Sequence, residues 1–182
     1  MLLALLSCAG KAGAQTVAVK SDLLTGGMLA SPNLGVELKL SERFTLEAGV
    51  HYNPFPAGGD KRWKHWFVQP ELRYWMCQPY GGHFFGANLM YGVYNVAKAR
   101  LPFGLFKGVR SERYEGDFTG VGISYGYHFS PRWGLETSIG VGFLHTRYER
   151  YRCAHCGEKT GSGNRNFLAP TKASISLVYM IQ

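Results

Sequence analysis

The chain has 182 residues, with Lys+Arg 20 against Asp+Glu 12 and a formal net charge of +8. Aromatic residues make up 14%, charged residues only 18%, and Gly occurs 24 times, near twice the roughly 7% usual in globular proteins. A chain this aromatic is not disordered, its glycines follow no collagen period, and so much Gly would destabilise the helix interiors of a bundle.

Residues 1–14 read as an export signal. Met1-Leu2-Leu3-Ala4-Leu5-Leu6 forms a short apolar core, and Ala12-Gly13-Ala14 has the small-x-small form of a cleavage site before Gln15. The missing basic n-region leaves the true start codon open. An alternative is a lipoprotein box at Leu5-Leu6-Ser7-Cys8, with Cys8 lipidated and retained. Both readings take the protein out of the cytoplasm; cleavage after Ala14, the preferred one, leaves residues 15–182 as a single domain. The longest stretch without Asp, Glu, Lys or Arg, Tyr74 to Ala97, is broken by Gln78, Pro79, Gly81 and Gly82, well short of the ~20 apolar residues of a spanning helix. A membrane crossing therefore requires a closed barrel.

In chain order, period-two alternation predicts strands over 17–23, 34–40, 44–52, 66–76, 83–94, 118–129, 133–145 and 172–181. In the third, Phe44, Leu46, Ala48, Val50 and Tyr52 oppose Thr45, Glu47, Gly49 and His51. The fourth sets Val68, Leu72, Tyr74 and Met76 against Gln69, Glu71, Arg73 and Trp75, with Pro70 taken as a local bulge. Eight strands is the smallest number that commonly closes, so the expected fold is an all-β, eight-stranded, antiparallel up-and-down transmembrane β-barrel.

The connections support this. Segments 24–33, 53–65, 95–117 and 146–171 are long, while 41–43, 77–82 and 130–132 are short. Strict alternation puts the long loops at one end and the tight turns, with both termini, at the other, as in outer-membrane barrels. The excess charge past residue 14 falls in three of the long loops, through residues such as Lys61, Arg62, Lys64, Lys98, Arg100, Arg147, Arg150 and Lys159. Strand charges balance and fall mostly on the polar faces. Lys20, Asp22, Glu37, Lys39, Glu47, Glu71, Arg73, Glu136 and Lys172 are therefore expected as an interior charge network, because unpaired ions inside a narrow barrel would each cost several kcal/mol.

Alternation alone does not say which face points outward, and an exported soluble lipocalin-like ligand-binding barrel would place the apolar face inside. Two aromatic belts favour the membrane reading. Phe44, Phe67, Phe85 and Trp133 are expected near the short turns, and Tyr52, Trp66, Tyr91, Phe118 and Phe143 near the long loops.

The segment Trp63-Lys64-His65-Trp66-Phe67-Val68-Gln69-Pro70-Glu71-Leu72-Arg73-Tyr74-Trp75, with Pro32-Asn33-Leu34-Gly35-Val36-Glu37, Tyr52-Asn53-Pro54 and Gly82-His83-Phe84-Phe85-Gly86, resembles a family of small outer-membrane barrels. That family is of unknown function and comes from anaerobic Gram-negative gut and oral bacteria. The resemblance implies an eight-stranded barrel, often encoded near fimbrial or surface-adhesin genes, and brings no established catalytic residues.

Three candidate sites stand out. Cys153-Ala154-His155-Cys156 in the longest loop reads as a local disulfide before a metal site, since one Cys-x-x-Cys lacks a second ligand pair. Trp63, Lys64, His65 and Trp66 read as an outer-rim membrane anchor or a binding site for anionic lipid. A lipid A or ester hydrolase would need a serine, a base and an orienting acid. His128-Phe129-Ser130 has suggestive spacing but falls at the short-turn end, and His145 has no nearby serine. The sequence thus points to a non-enzymatic structural or surface-interaction protein of the outer membrane, with no cofactor. Expected partners are lipopolysaccharide and fimbrial or surface proteins, and nucleic acid does not fit the compartment.

Overall fold

The computed structural model describes residues 17–28, 31–55, 62–97, 112–129, 133–152 and 158–181. The export segment 1–14, Cys8, Ser130, Cys153 and Cys156 lie outside the described residues. Eight strands follow one another in a ring: β1 (Val17–Asp22), β2 (Asn33–Lys39), β3 (Phe44–Asn53), β4 (Arg62–Trp75), β5 (Gly82–Ala97), β6 (Arg113–His128), β7 (Trp133–Tyr151) and β8 (Lys159–Ile181). Every neighbouring pair is antiparallel, and β1 closes on β8 from Val17↔Ile181 to Asp22↔Ser176. A six-residue helix, α1 (Leu23–Met28), stands where a loop is expected. It follows from Asp22, whose carboxylate caps the amides of Leu24 (3.0 Å) and Thr25 (3.3 Å).

The strand pleat sorts residues by face. Leu38, Val50, Leu72 and Ile139 are exposed on the outside, whereas Glu37, Glu71 and Arg73 are buried in the lumen. At the short-turn end, Trp75, Phe84, Tyr80, Ala18, Val178 and Met180 form an apolar plug. A charged layer lies above it, then a layer of rings, and Val96 and Tyr114 with Trp63, Tyr94 and Tyr148 close the far end. Buried side chains therefore occupy the lumen at successive heights between the two ends.

Two sequence expectations about the wall need correction. The strands on the β4 to β8 side run further toward the long-loop end than apolar alternation indicates, and β8 starts at Lys159. Its polar Lys159–Asn166 stretch is held by pairing with β7, from Tyr151↔Lys159 to His145↔Asn166. Pro70 sits in no bulge. It pairs with Ala48 on β3, and toward β5 the ladder skips from Val68↔Tyr91 to Glu71↔Asn88 with its register kept. A missing N–H interrupts a ladder without requiring an inserted residue. Two register shifts lie in β8 instead: Gly140↔Lys172 is followed by Val141↔Pro170, leaving Thr171 without an opposite residue, and Arg150↔Gly161 by Tyr151↔Lys159, leaving out Thr160.

Close packing of the lumen explains several glycines of β6 and β7. A Cβ on Gly142 would stand 2.2 Å from the Val121 carbonyl oxygen and 2.5 Å from Gly122 Cα. Backbone cannot give way as a flexible side chain can, so Gly142→Val is expected to cost about 3 kcal/mol or prevent closure. Gly27→Ala, with nothing within 4 Å, is the neutral control. Urea titration of refolded protein, followed by the folded and unfolded bands of an unboiled gel, reads both.

Candidate functional site

Register dictates the charged layer. Glu37 is directly opposite Glu47, and Glu47 is opposite Glu71, so three carboxylates lie in one row across β2, β3 and β4. Like charges in such positions repel, and the row is tolerable only with cations between its members. Arg73 supplies the main one. Its Nε is 2.7 Å from Glu71, and one terminal nitrogen is 2.9 Å from Glu37 and 3.0 Å from Glu136. The other terminal nitrogen meets Glu47, and the guanidinium carbon stands 4.3 Å from the Phe84 ring centroid. Lys20 reaches Glu136 at 2.6 Å and also contacts Glu37. Lys172 reaches Glu71 at 3.1 Å and Glu47 at 3.3 Å.

Neutral groups complete the layer. Trp75 Nε1 donates to Thr45 Oγ1 (2.8 Å), whose hydroxyl donates to Glu37, and Ser124 Oγ donates to Glu71 (3.0 Å). His128 Nδ1 is 3.4 Å from Glu136, inside the barrel. Seven charged side chains from six strands are thus locked together, and strands β5 and β6 add Asn88, Ser124 and His128. The parity of the sequence finds the charges. It misses Thr45, Asn88, Ser124 and His128 as partners, because small or neutral polar residues on a strand carry no sign of what they face.

Two residues assigned to this network do not belong to it. Lys39 is exposed at the end of β2, past the last enclosed position. Asp22 lies at the other end, capping α1 and accepting the Ile175 amide (3.1 Å). Both have the interior parity of their strands, but each sits on a terminal residue, where Lys39 is exposed and the half-buried Asp22 is engaged by backbone amides before any cation.

Asp22 marks a seam in the barrel. Six residues of β1 face twenty-three of β8, and the ladder between them stops at Asp22↔Ser176. The Asp22 carboxylate continues it for one amide, and Asn33 bonds both the Asp22 N–H (2.6 Å) and its carbonyl (2.9 Å). Inside the seam is a cavity of about 80 Å³ lined by Lys20, Glu47, His51, Gln69 and Lys172. Small-molecule pockets usually span about 300–1,000 Å³, so this cavity is smaller than a lipocalin-like ligand chamber.

The rim cluster Trp63, Lys64, His65 and Trp66 is split by the same pleat, which corrects its reading as one patch. Trp63 and His65 turn inward. The Trp63 ring is 5.9 Å from that of His65, and His65 Nε2 is 3.0 Å from Ser31 Oγ. Lys64 and Trp66 turn outward, with Trp66 edge-on to Tyr91 at 5.8 Å. Two belt residues also turn inward. Phe67 stacks on His51 at 4.1 Å and lies in the long-loop half, while Phe118 packs 6.1 Å from Phe67. Outward rings remain at both ends: Phe44 against Tyr74 and Phe85 against Tyr125 near the short turns, and Tyr52, Trp66 and Tyr91 toward the long loops. Cys77 is a free, exposed thiol in a short turn.

Above the apolar wall the outer face becomes ionic. Arg147 pairs with Asp117 at 3.0 Å, and Lys159 with Glu149. The Lys159 and Tyr151 hydrogen bonds hold the Glu149 carboxyl below its usual range.

Apolar rows outside, a sealed ionic layer inside and all tight turns at one end define a class of small closed barrels with inverted polarity. Within it, the chain belongs to the DUF3575 family of proteins of unknown function, whose family model matches residues 1–181. No curated protein and no solved structure matches it.

Proposed function

We propose that this protein is an integral outer-membrane barrel without catalytic activity, exported by residues 1–14. In this reading its basic long loops contact the anionic lipopolysaccharide of the outer leaflet, and it serves surface structures such as fimbriae or adhesins as an accessory. The observation that carries the membrane reading is polarity: Ile139 is 66% exposed while Arg73 is 0% exposed. An aqueous barrel would bury the first and wet the second. The outward row from Trp66 on β4 to Met76, one residue past its end, measures roughly 33 Å along the chain, about 25 Å in height at the usual tilt, in keeping with the apolar band of an outer-membrane barrel. The fimbrial part rests on the family resemblance alone.

The saturated charge layer favours a structural role over a hydrolytic one, since all four glutamates hold cations and His128 is enclosed with them. Fractionation tests the proposal. The chain is expected in the carbonate-resistant outer-membrane pellet, running faster on gels when unboiled. Recovery in the periplasmic supernatant would defeat it and return the soluble barrel to first place.

A further inference from the structure

The three most exposed large hydrophobic residues described, Ile123 (68%), Leu168 (67%) and Ile139 (66%), lie together on the outer wall of β6, β7 and β8. They border a groove of about 650 Å³ lined almost wholly by carbon. Its floor is backbone, because Gly86, Ser124 and Gly140 lie side by side with their free positions turned to the lumen. The Thr171 bulge lies beside Gly140, where it locally reshapes the wall.

One step up each strand, the groove changes chemistry. Val121 and Phe143 lead into a second depression of about 410 Å³ that also includes Thr119, His145 and Asn166. Those three polar residues form one outward row, Thr119↔His145↔Asn166, with His145 Nδ1 joined to Asn166 Oδ1. The next row is Asp117↔Arg147↔Asn164, in which the two charges neutralise each other. The apolar track therefore ends under a head region that is rich in hydrogen-bonding groups and carries no net charge.

We propose that this wall holds an acylated sugar lipid of the outer leaflet, its chains in the Ile123–Ile139–Leu168 groove and its sugar hydroxyls on Thr119, His145 and Asn166. The inference rests on the outer-membrane reading and deepens it. Amphiphile shape matches the groove, since polar and apolar halves meet at the height where head and chains meet. A head region without excess charge offers hydrogen bonds to sugar hydroxyls and no surplus cation to a phosphate, so the row grips the sugars of a glycolipid whether or not they are phosphorylated. Both volumes fall in the usual range of ligand sites, which the interior cavity does not reach.

Native mass spectrometry of the full chain in detergent provides the test, with lipid A and phosphatidylglycerol added together as probes. The second carries acyl chains and phosphate but no sugar. Lipid A adducts are expected to predominate. Replacing the head row by His145→Leu with Asn166→Leu should reduce them about tenfold, as the loss of one or two hydrogen bonds implies. Ile123→Trp, which fills the groove with the head row intact, should reduce them similarly, and Lys64→Ala on the opposite wall should not. All these positions face outward, and the unboiled gel band verifies folding. Equal retention of the two probes, or unchanged lipid A adducts in both groove variants, would overturn the proposal. Failure of the underlying reading shows separately, as a chain recovered outside the membrane.

Discussion

Replacing Arg73 by methionine is expected to destabilise the barrel by about 3–5 kcal/mol, the usual consequence of removing one partner from a buried ionic group. One guanidinium contacts Glu37, Glu47, Glu71 and Glu136. Without it, Lys20 and Lys172 would face all four carboxylates in a lumen closed below by Trp75 and Phe84. Methionine fills much of the volume, so the loss reports charge before packing. Arg73→Lys should fall between, since a single ammonium keeps the charge but cannot fork toward four acceptors. The decisive variant is Arg73→Met combined with Glu71→Gln. Removing one excess carboxylate should recover part of the loss, giving a coupling outside simple additivity. Urea midpoints of protein folded into lipid vesicles measure the series. If Arg73→Met unfolds with the parent, the layer contributes nothing to holding the wall together.

Much of this layer is legible in the sequence, because a strand's side chains alternate strictly and Glu37, Glu47, Glu71, Arg73 and Glu136 share the parity of the small and polar residues around them. What sequence does not carry is depth. Lys39 and Asp22 have the right parity but stand on terminal residues, where Lys39 is exposed and the half-buried Asp22 turns its carboxylate to backbone amides. Trp63 and His65 separate from Lys64 and Trp66 by the same period-two rule, and only attention to composition makes the four look like one patch. Strand ends are hidden for a related reason. Apolar alternation stops where the outer face turns polar, whereas pairing does not, and Gly161-Ser162-Gly163-Asn164 reads as a loop until β7 is placed beside it.

Pro170 and Thr171 show the same limit within the apolar region. The lone Pro70 draws attention to β4, yet the irregularity falls on β8, where the Thr171 carbonyl accepts Gln69 Nε2 at 2.9 Å from inside the barrel. That bond satisfies a backbone group which the bulge removes from the ladder. A buried carbonyl left without a donor is costly in any apolar surrounding, so Gln69 ties the irregular wall to the lumen. The seam at Asp22 follows similar logic, with a carboxylate and the Asn33 amide taking over where β1 ends. In both places the interior polar residues do more than balance charge, because they complete a wall whose strands differ greatly in length.

Ile139→Arg separates a lipid-facing wall from a wetted one most sharply. Ile139 lies in the middle of the outward row Leu135, Thr137, Ile139, Val141, Phe143 on β7. If the wall faces lipid, an arginine there puts its charge in hydrocarbon, at a cost of about 2–4 kcal/mol near the midplane and close to zero near the interface. On a soluble barrel the same change would merely replace an exposed apolar side chain with a solvated one, with an effect within about 0.5 kcal/mol. Asn164→Arg, in the polar row beside Arg147, is the depth control and should be near neutral. Vesicle-folded variants titrated with urea should therefore give a loss that depends on height along the wall, large at Ile139 and absent at Asn164. Equal, small effects at both heights would mean that the apolar exterior does not face lipid, whatever the interior contains.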